Sequence, residues 1–278
     1  MTSHVMAFRI FLATVLLLCT ALHQYAQTDI ADADAPIVFA CDSTKAVCLR
    51  AGWDTDGDGE LSYREAAAVT HLGEERFAFI RSVLSFDELQ YFTGLRSIDR
   101  RALADTYNMA TVTLPPQLEE LDERAFWSAT GITHITLPSS LRKMNAFCFY
   151  HCEKLVDITI PGGVDTVPHR AFMWCMKLVQ VTLQEGVSSI DSEAFRYCPR
   201  LQEVSLPASL KSIGHRAFFG NFFIKMITCA APVPPELGEN IFEPRVCSEA
   251  TLFVPQGSLE AYRSAKGWKL FRYISELF

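Results

Sequence analysis

The segments VTLPPQLEELDERAF, ITLPSSLRKMNAFCF, ITIPGGVDTVPHRAF, VTLQEGVSSIDSEAF and VSLPASLKSIGHRAF begin at residues 112, 135, 158, 181 and 204. Each starts 23 residues after the one before, and Leu114, Leu137, Ile160, Leu183, Leu206 and Cys229 mark the same position in successive units. So strict a period demands a repeat architecture, because a single 23-residue unit cannot bury its apolar edge but stacked copies can.

Within a unit the apolar positions form columns. Ile98, Leu121, Met144, Val167, Ile190 and Ile213 make one; Leu103, Phe126, Phe149, Phe172, Phe195 and Phe218 make another five residues later. Further columns run through Met109, Ile132, Leu155, Leu178, Leu201 and Ile224, and through Val112, Ile135, Ile158, Val181, Val204 and Ile227. The last of these alternates with polar residues up to the Leu114 column, which is the period of a short half-buried strand. Pro115, Pro138, Pro161 and Pro207 then remove a backbone donor and end it. With 49 % hydrophobic residues the chain can bury a sizeable core.

The column logic also assigns most of the nine cysteines. Cys152, Cys175 and Cys198 fall three residues after the Phe of their own unit and are expected to be small buried thiols. The cluster CFYHC suggests zinc at first sight, but Cys148 fills a slot held elsewhere by Ala125, Ala171, Ala194 and Ala217, and no fourth ligand is spaced to complete a site. Cys41 with Cys48 and Cys229 with Cys247 stay open as disulfide pairs.

Written I-x-x-x-A-F-x-x-C-x-x-L-x-x-V-x-L-P, the unit resembles the leucine-rich repeats of the BspA-like family of bacterial surface proteins, over residues 41 to about 273. The run SFDELQYFTGLRSI, Ser85 to Ile98, and the ending from Cys229 to Trp268 are part of the likeness. The resemblance implies an α/β repeat protein: a right-handed leucine-rich-repeat solenoid with a short strand plus a turn or short helix per unit. It also implies surface attachment, host-protein binding or cell-to-cell contact. The chain departs from the pattern at Leu103, Ala129, Gln184 and Asn221, mainly toward the ends, where capping repeats are atypical.

Ahead of the repeats stands DTDGDGELSYRE, Asp54 to Glu65. Asp54, Asp56 and Asp58 take positions 1, 3 and 5 of an EF-hand-like loop, Gly59 takes position 6 and Glu65 position 12. With the carbonyl of Glu60 and with Ser62, directly or through water, they offer the six to eight oxygens that Ca2+ prefers. STKAVCLRAGW before the loop and SYREAAAVTHLG after it are rich in helix formers. Such loops normally come in pairs. A single one excludes a complete dockerin and favours a structural role: covering the open end of the stack, whose apolar surface and strand edges need protection.

The chain opens with Arg9 followed by the apolar run Ile10 to Leu22, too short for a bilayer that needs about 20 residues but suited to a secretory signal. Cleavage is expected after Ala26, with Ala21 as an alternative. Cys19 raises a lipid anchor, against which Leu18 stands where a small residue is needed. The resulting division is 1–26 signal peptide, 37–94 helical N-terminal cap, 95–229 repeats and 230–278 degenerate repeat and C-terminal cap. The formal charge of -7 becomes -8 once Arg9 is removed with the leader, which argues against nucleic acid or anionic lipid as a partner. No second segment of membrane length follows, so the expected location is secreted or on the bacterial surface.

No nucleophile elbow, Walker loop, His-Glu-x-x-His or Rossmann glycines occur, and His134, His169 and His215 read as separate surface residues, so no enzyme is expected. Candidate ligand-binding residues lie in the turn after each Phe, where Trp127, Tyr150, His151, Trp174, Tyr197 and Phe219 replace the small polar residues that turns prefer. The expected partner is an extracellular protein or glycan. The alternatives are a structural spacer in a surface assembly and an accessory hydrolase.

Overall fold

The computed structural model describes residues 32–277, and the chain from Pro36 onward forms one compact unit. The segment 1–26 expected to be a leader, with Cys19, lies outside the described residues.

Most units contribute two short parallel strands rather than one. The outer positions of the longer strands build a six-stranded ladder in spatial order Asp157–Ile160, Gln180–Leu183, Glu203–Leu206, Met226–Cys229, Thr251–Val254 and Tyr273–Glu276. Asp157 pairs with Gln180, Gln180 with Glu203 and Glu203 with Met226, so the 23-residue offset in sequence becomes one step of the ladder. Burial alternates along these strands: Ile158 and Ile160 face the core, Asp157 and Thr159 solvent. The same columns are buried at Ile135 and Leu137, yet residues 134–137 are not a strand, and the upstream pair Ser85–Phe86 with Thr111–Val112 forms a separate two-stranded sheet.

The second strand of each unit is two residues long and carries the Ile98 column. It forms a three-stranded sheet of Ser97–Ile98, Glu120–Leu121 and Lys143–Met144, and a four-stranded one of Thr166–Val167, Ser189–Ile190, Ser212–Ile213 and Glu236–Leu237. Between the two strands a tight turn brings the amide of Leu118, Leu141, Val164 or Leu210 to the carbonyl of the preceding proline. Where Gln184 replaces proline, the Val187 amide still reaches the Gln184 carbonyl at 3.2 Å, so the turn survives the substitution.

The third side of the stack is a chain of turns without helix. Two residues per unit adopt positive φ there, the positions two before and two after the Phe: Arg170 (51°) and Trp174 (67°), Glu193 (59°) and Tyr197 (57°). A non-glycine residue in this region costs of order 1–3 kcal/mol, and the return is visible in the backbone. The amides of Arg170, Phe172 and Trp174 all point along the stack and donate to Ser192, Ala194 and Arg196 of the next unit. The turns are thereby joined in the manner of a sheet, with their buried amides satisfied.

Inside this triangle the phenylalanines stack. Phe149, Phe172, Phe195 and Phe218 follow one another at 5.2 Å with interplanar angles of 4–7°, and Phe242 adds a last ring 5.5 Å beyond Phe218. Beside them the thiols of Cys152, Cys175 and Cys198 donate to the carbonyls of Phe126, Phe149 and Phe172, each in the preceding unit. Asn221 continues this column with an amide, donating to Phe195 O at 2.9 Å and accepting from Cys198 N at 2.7 Å. All eight described cysteines are buried and free, which leaves neither Cys41 with Cys48 nor Cys229 with Cys247 joined.

One core continues from Ile37 to Phe271. At its start, helix α1 (Asp42–Arg50) and helix α2 (Tyr63–Ala68) flank the acidic loop. The second is shorter than SYREAAAVTHLG led us to expect, because Val69 already has extended backbone (ψ 121°). Thr44 Oγ1 donates to Ser85 O and Ala40 N to Glu88 Oε1, tying this region to the first strand and to the turn after it. At the far end α3 (Pro244–Glu249) and α4 (Leu259–Ser264) pack beside the last strands.

Candidate functional site

The structure places both groups of residues singled out above. In the acidic loop, Gly57 and Gly59 have positive φ (80° and 85°), which turns the chain sharply enough to bring Asp54, Asp56 and Asp58 together. One carboxylate oxygen from each lies within 4.8 Å of the others. Asp54 accepts the amides of Gly57 (2.7 Å) and Gly59 (3.0 Å), Asp56 that of Asp58 (3.1 Å) and Asp58 that of Glu60 (2.7 Å), which orients the three acids.

Glu60, Ser62 and Glu65 sit differently. The Glu60 side chain pairs with Lys45 of α1 at 2.6 Å. Glu65 is buried, and its two oxygens are shared between Thr55 (N 2.6 Å, Oγ1 2.9 Å) and Ser62 (N 2.9 Å, Oγ 2.8 Å). Ser62 Oγ in turn accepts the Glu65 amide, so the pair forms a capping box at the start of α2. Burial alone would raise the Glu65 carboxyl; the hydrogen bonds from Ser62 and Thr55 outweigh it and hold the group at about 2. Its position at the twelfth place of the loop therefore serves helix α2 in this structure, away from the aspartate trio. Loop position 8 is Leu61, fully buried, whose carbonyl accepts the Ile37 amide at 2.8 Å. A segment of the chain's own backbone thus pairs with the loop.

The aromatic turn residues are all half-buried, and they do not form one row. Trp127 and Tyr150 stack at 4.1 Å and 14°. Trp174 and Tyr197 meet at 4.7 Å and 39°, with Phe219 6.4 Å beyond Tyr197. Buried Met173 holds the place between Tyr150 and Arg196 in their column, which separates the two groups. His151 lies 6.1 Å from Tyr150 and pairs through Nε2 with Glu153 at 3.0 Å. Tyr197 also lies flat against Gly220: a Cβ at that glycine would come within 2.2 Å of its ring.

Sequence reasoning missed the arginines of this face. Arg124 stands 5.2 Å from the Trp127 ring and 5.1 Å from Phe147, Arg196 4.5 Å from Tyr197, and Arg216 5.6 Å from Phe219. Arg170 and Arg196 both pair with buried Glu193, at 2.9 and 3.0 Å. For all of these but Arg196, which lies one after the Phe, the signal was present in the column two before it, which reads Arg101, Arg124, Phe147, Arg170, Glu193 and Arg216. His169 and His215 also share a column and are half-buried, unlike exposed His134, which corrects their reading as unrelated surface residues.

Comparison with known proteins places the repeats. A family model described as BspA type leucine rich repeat region matches residues 70–198 and 165–251, in six copies. The chain belongs to this BspA-type family. Among solved structures, this BspA-type chain is similar to a T. pallidum leucine rich repeat protein, 22 % identical over 71 % of this chain and 78 % of that one, with a TM-score of 0.44. A leucine rich cell surface protein from Faecalibacterium prausnitzii is 19 % identical, covering 76 % and 70 %, with a TM-score of 0.38. A leucine-rich repeat protein from Bacteroides ovatus is 15 % identical, covering 80 % and 66 %, with a TM-score of 0.44. No curated protein matches the chain. Among the described residues, no helix is long and apolar enough to cross a membrane.

Proposed function

We propose that this BspA-type chain is an exported, non-enzymatic binding protein of the bacterial surface or its surroundings, which engages an extracellular protein or glycan through the aromatic turn face. The observation that carries this reading is the concentration there of Trp127, Tyr150, Trp174, Tyr197 and Phe219, half-buried and flanked by Arg124, Arg196 and Arg216. Trp, Tyr and Arg are the residues enriched where a few side chains carry most of an interface. Their mutual stacking fixes the rings before a partner arrives, which lowers the entropy lost on binding. The export reading rests on the leader at 1–26. His151, at the margin of the patch, supplies a polar contact.

Calcium belongs to the same proposal as a structural ion. Asp54, Asp56 and Asp58 fit it as they stand, with the Glu60 carbonyl and Ser62 as further oxygens. Glu65 would join only by releasing Thr55 or Ser62, so binding would compete with the cap of α2. The ion would supply charge neutralisation and rigidity to 37–94, the segment proposed to cover the first of the repeats at 95–229; residues 230–278 would close the other end of a right-handed stack.

A second reading, in which the aromatic groups serve only to hold adjacent turns together, is favoured by the packing of Tyr197 on Gly220. An array of extracellular matrix proteins and glycans probed with residues 27–278 separates the two. Saturable capture of a defined component supports the binding role, and an array without any saturable capture rejects it in favour of a spacer. Turnover of a captured glycan would instead indicate a hydrolase.

A further inference from the structure

At the C-terminal end of the stack, between the loop carrying Leu237 to Phe242 and the segment Lys266 to Leu270, lies a cavity of about 830 Å³. That volume is within the range of small-molecule sites, about 300–1,000 Å³. Its walls are mainly apolar. Phe242, the last ring of the phenylalanine ladder, is half-buried and contributes to them together with Leu237, Ile241 and Leu270, the last being 64 % exposed. At one point the two segments touch: Gly267 has φ 82°, a backbone conformation that favours glycine, and its Cα side faces Leu237, whose Cδ1 would lie 2.7 Å from a Cβ there.

Charge gives the cavity a polarity. Lys266 and Lys269 line it, both exposed, and neither enters an ion pair among the described residues. The one acidic side chain of the lining is Glu239, and Cys247, also in the lining, is held as a neutral thiol because burial raises its pKa. Two ammonium groups against one carboxylate make a net positive mouth on a chain whose formal charge is -7. Lysines left unpaired in so acidic a protein, beside apolar surface that folding did not cover, form a complementary pair of features.

We propose that this cavity binds a small amphipathic carboxylate, its alkyl or aryl body against Leu237, Ile241 and Phe242 and its carboxylate between Lys266 and Lys269. Of the aromatic turn residues Phe219 alone also lines this cavity, and the proposal does not use it.

Isothermal titration of the full described chain with sodium dodecanoate, kept below its micelle concentration, tests it, with acetate and dodecyltrimethylammonium as controls. One saturable site for dodecanoate is expected, with no measurable binding of acetate and at least tenfold weaker binding of the cationic amphiphile. Lys266→Ala combined with Lys269→Ala should weaken dodecanoate at least tenfold, and Leu270→Glu, at an exposed wall position, should do so as well. Both changes are at exposed residues, and an unchanged urea midpoint verifies that each variant is folded. Absence of dodecanoate binding, equal binding of the two amphiphiles, or indifference of dodecanoate to the double lysine variant would overturn the proposal.

Discussion

Asn221 offers a quantitative probe of how successive units are joined. Its side chain occupies the slot filled in other units by Cys152, Cys175 and Cys198, but its bonding differs in kind. In the cysteine units the carbonyl of the Phe receives two donors, the amide three residues on and the thiol of the next unit: Phe149 O accepts Cys152 N at 3.3 Å and Cys175 Sγ at 3.4 Å. At Phe195 the asparagine intervenes. It donates to Phe195 O and accepts Cys198 N, and all of these groups are buried. Asn221→Ala therefore strands a buried carbonyl and a buried amide. Each orphan costs about 1–3 kcal/mol. Relaxation of Cys198 N toward Phe195 O, the geometry of the other units, recovers part, so the expected loss is about 2–4 kcal/mol. Asn221→Cys should cost under about 1 kcal/mol, because it restores both donors of the cysteine pattern. Urea unfolding followed by tryptophan fluorescence reads both values, provided the slope is unchanged. Equal losses for the two variants, or an alanine variant within about 0.5 kcal/mol of wild type, would refute the assignment of this column as a carbonyl cap.

Three further outcomes are expected. Saturating Ca2+ should stabilise the protein by RT ln(1 + [L]/Kd), about 2.7 kcal/mol at a hundredfold excess over Kd, and Asp54→Ala should abolish the gain; a melting temperature indifferent to EDTA would remove calcium from the proposal. Cys152, Cys175 and Cys198 should resist alkylation in the native protein and label fully on unfolding, since all three are fully buried and burial opposes the thiolate at Cys152 and Cys175; mass mapping of native labelled protein checks this. The Glu193 carboxyl, which burial would raise, is drawn below its ordinary 4.5 by Arg170 and Arg196. The stability it adds is thus complete above pH 4.5 and lost as pH falls through the lower native value. Glu193→Gln should accordingly be destabilised relative to wild type near neutral pH, with the gap closing below pH 4.5; a gap that does not change with pH would contradict the ion-pair assignment.

Much of the stack was legible because a repeat turns each inward position into a column. Phe126 through Phe218 and Cys152 through Cys198 needed no partner information beyond the period itself. The second ladder was half legible: the Ile98 column announced burial, but two-residue strands leave no alternation from which extended backbone can be read. The turn side was the least legible. Nothing in the residue types of Trp174 or Tyr197 signals positive φ, since the strain is tolerated only because the next unit accepts their amides. The arginine column was visible in the alignment, while the placement of Arg124 over Trp127 and Arg216 over Phe219 depends on side-chain paths that spacing does not encode. In the acidic loop the motif located the aspartate trio, whereas the engagement of Glu65 with Thr55 and Ser62 follows from competition between two roles available to one carboxylate, loop ligand and helix cap.

The binding role is tested most directly by comparing two faces of the same molecule. With the strongest component captured on the array, affinities are measured by interferometry for wild type, Trp174→Ala on the turn side and Gln180→Arg on the exposed strand side, each shown by its melting temperature to be folded. Loss of on the order of 2 kcal/mol in Trp174→Ala with Gln180→Arg unchanged is expected of a ligand held by the aromatic face. Unchanged affinity in Trp174→Ala together with a loss in Gln180→Arg would contradict it and move the site to the strands.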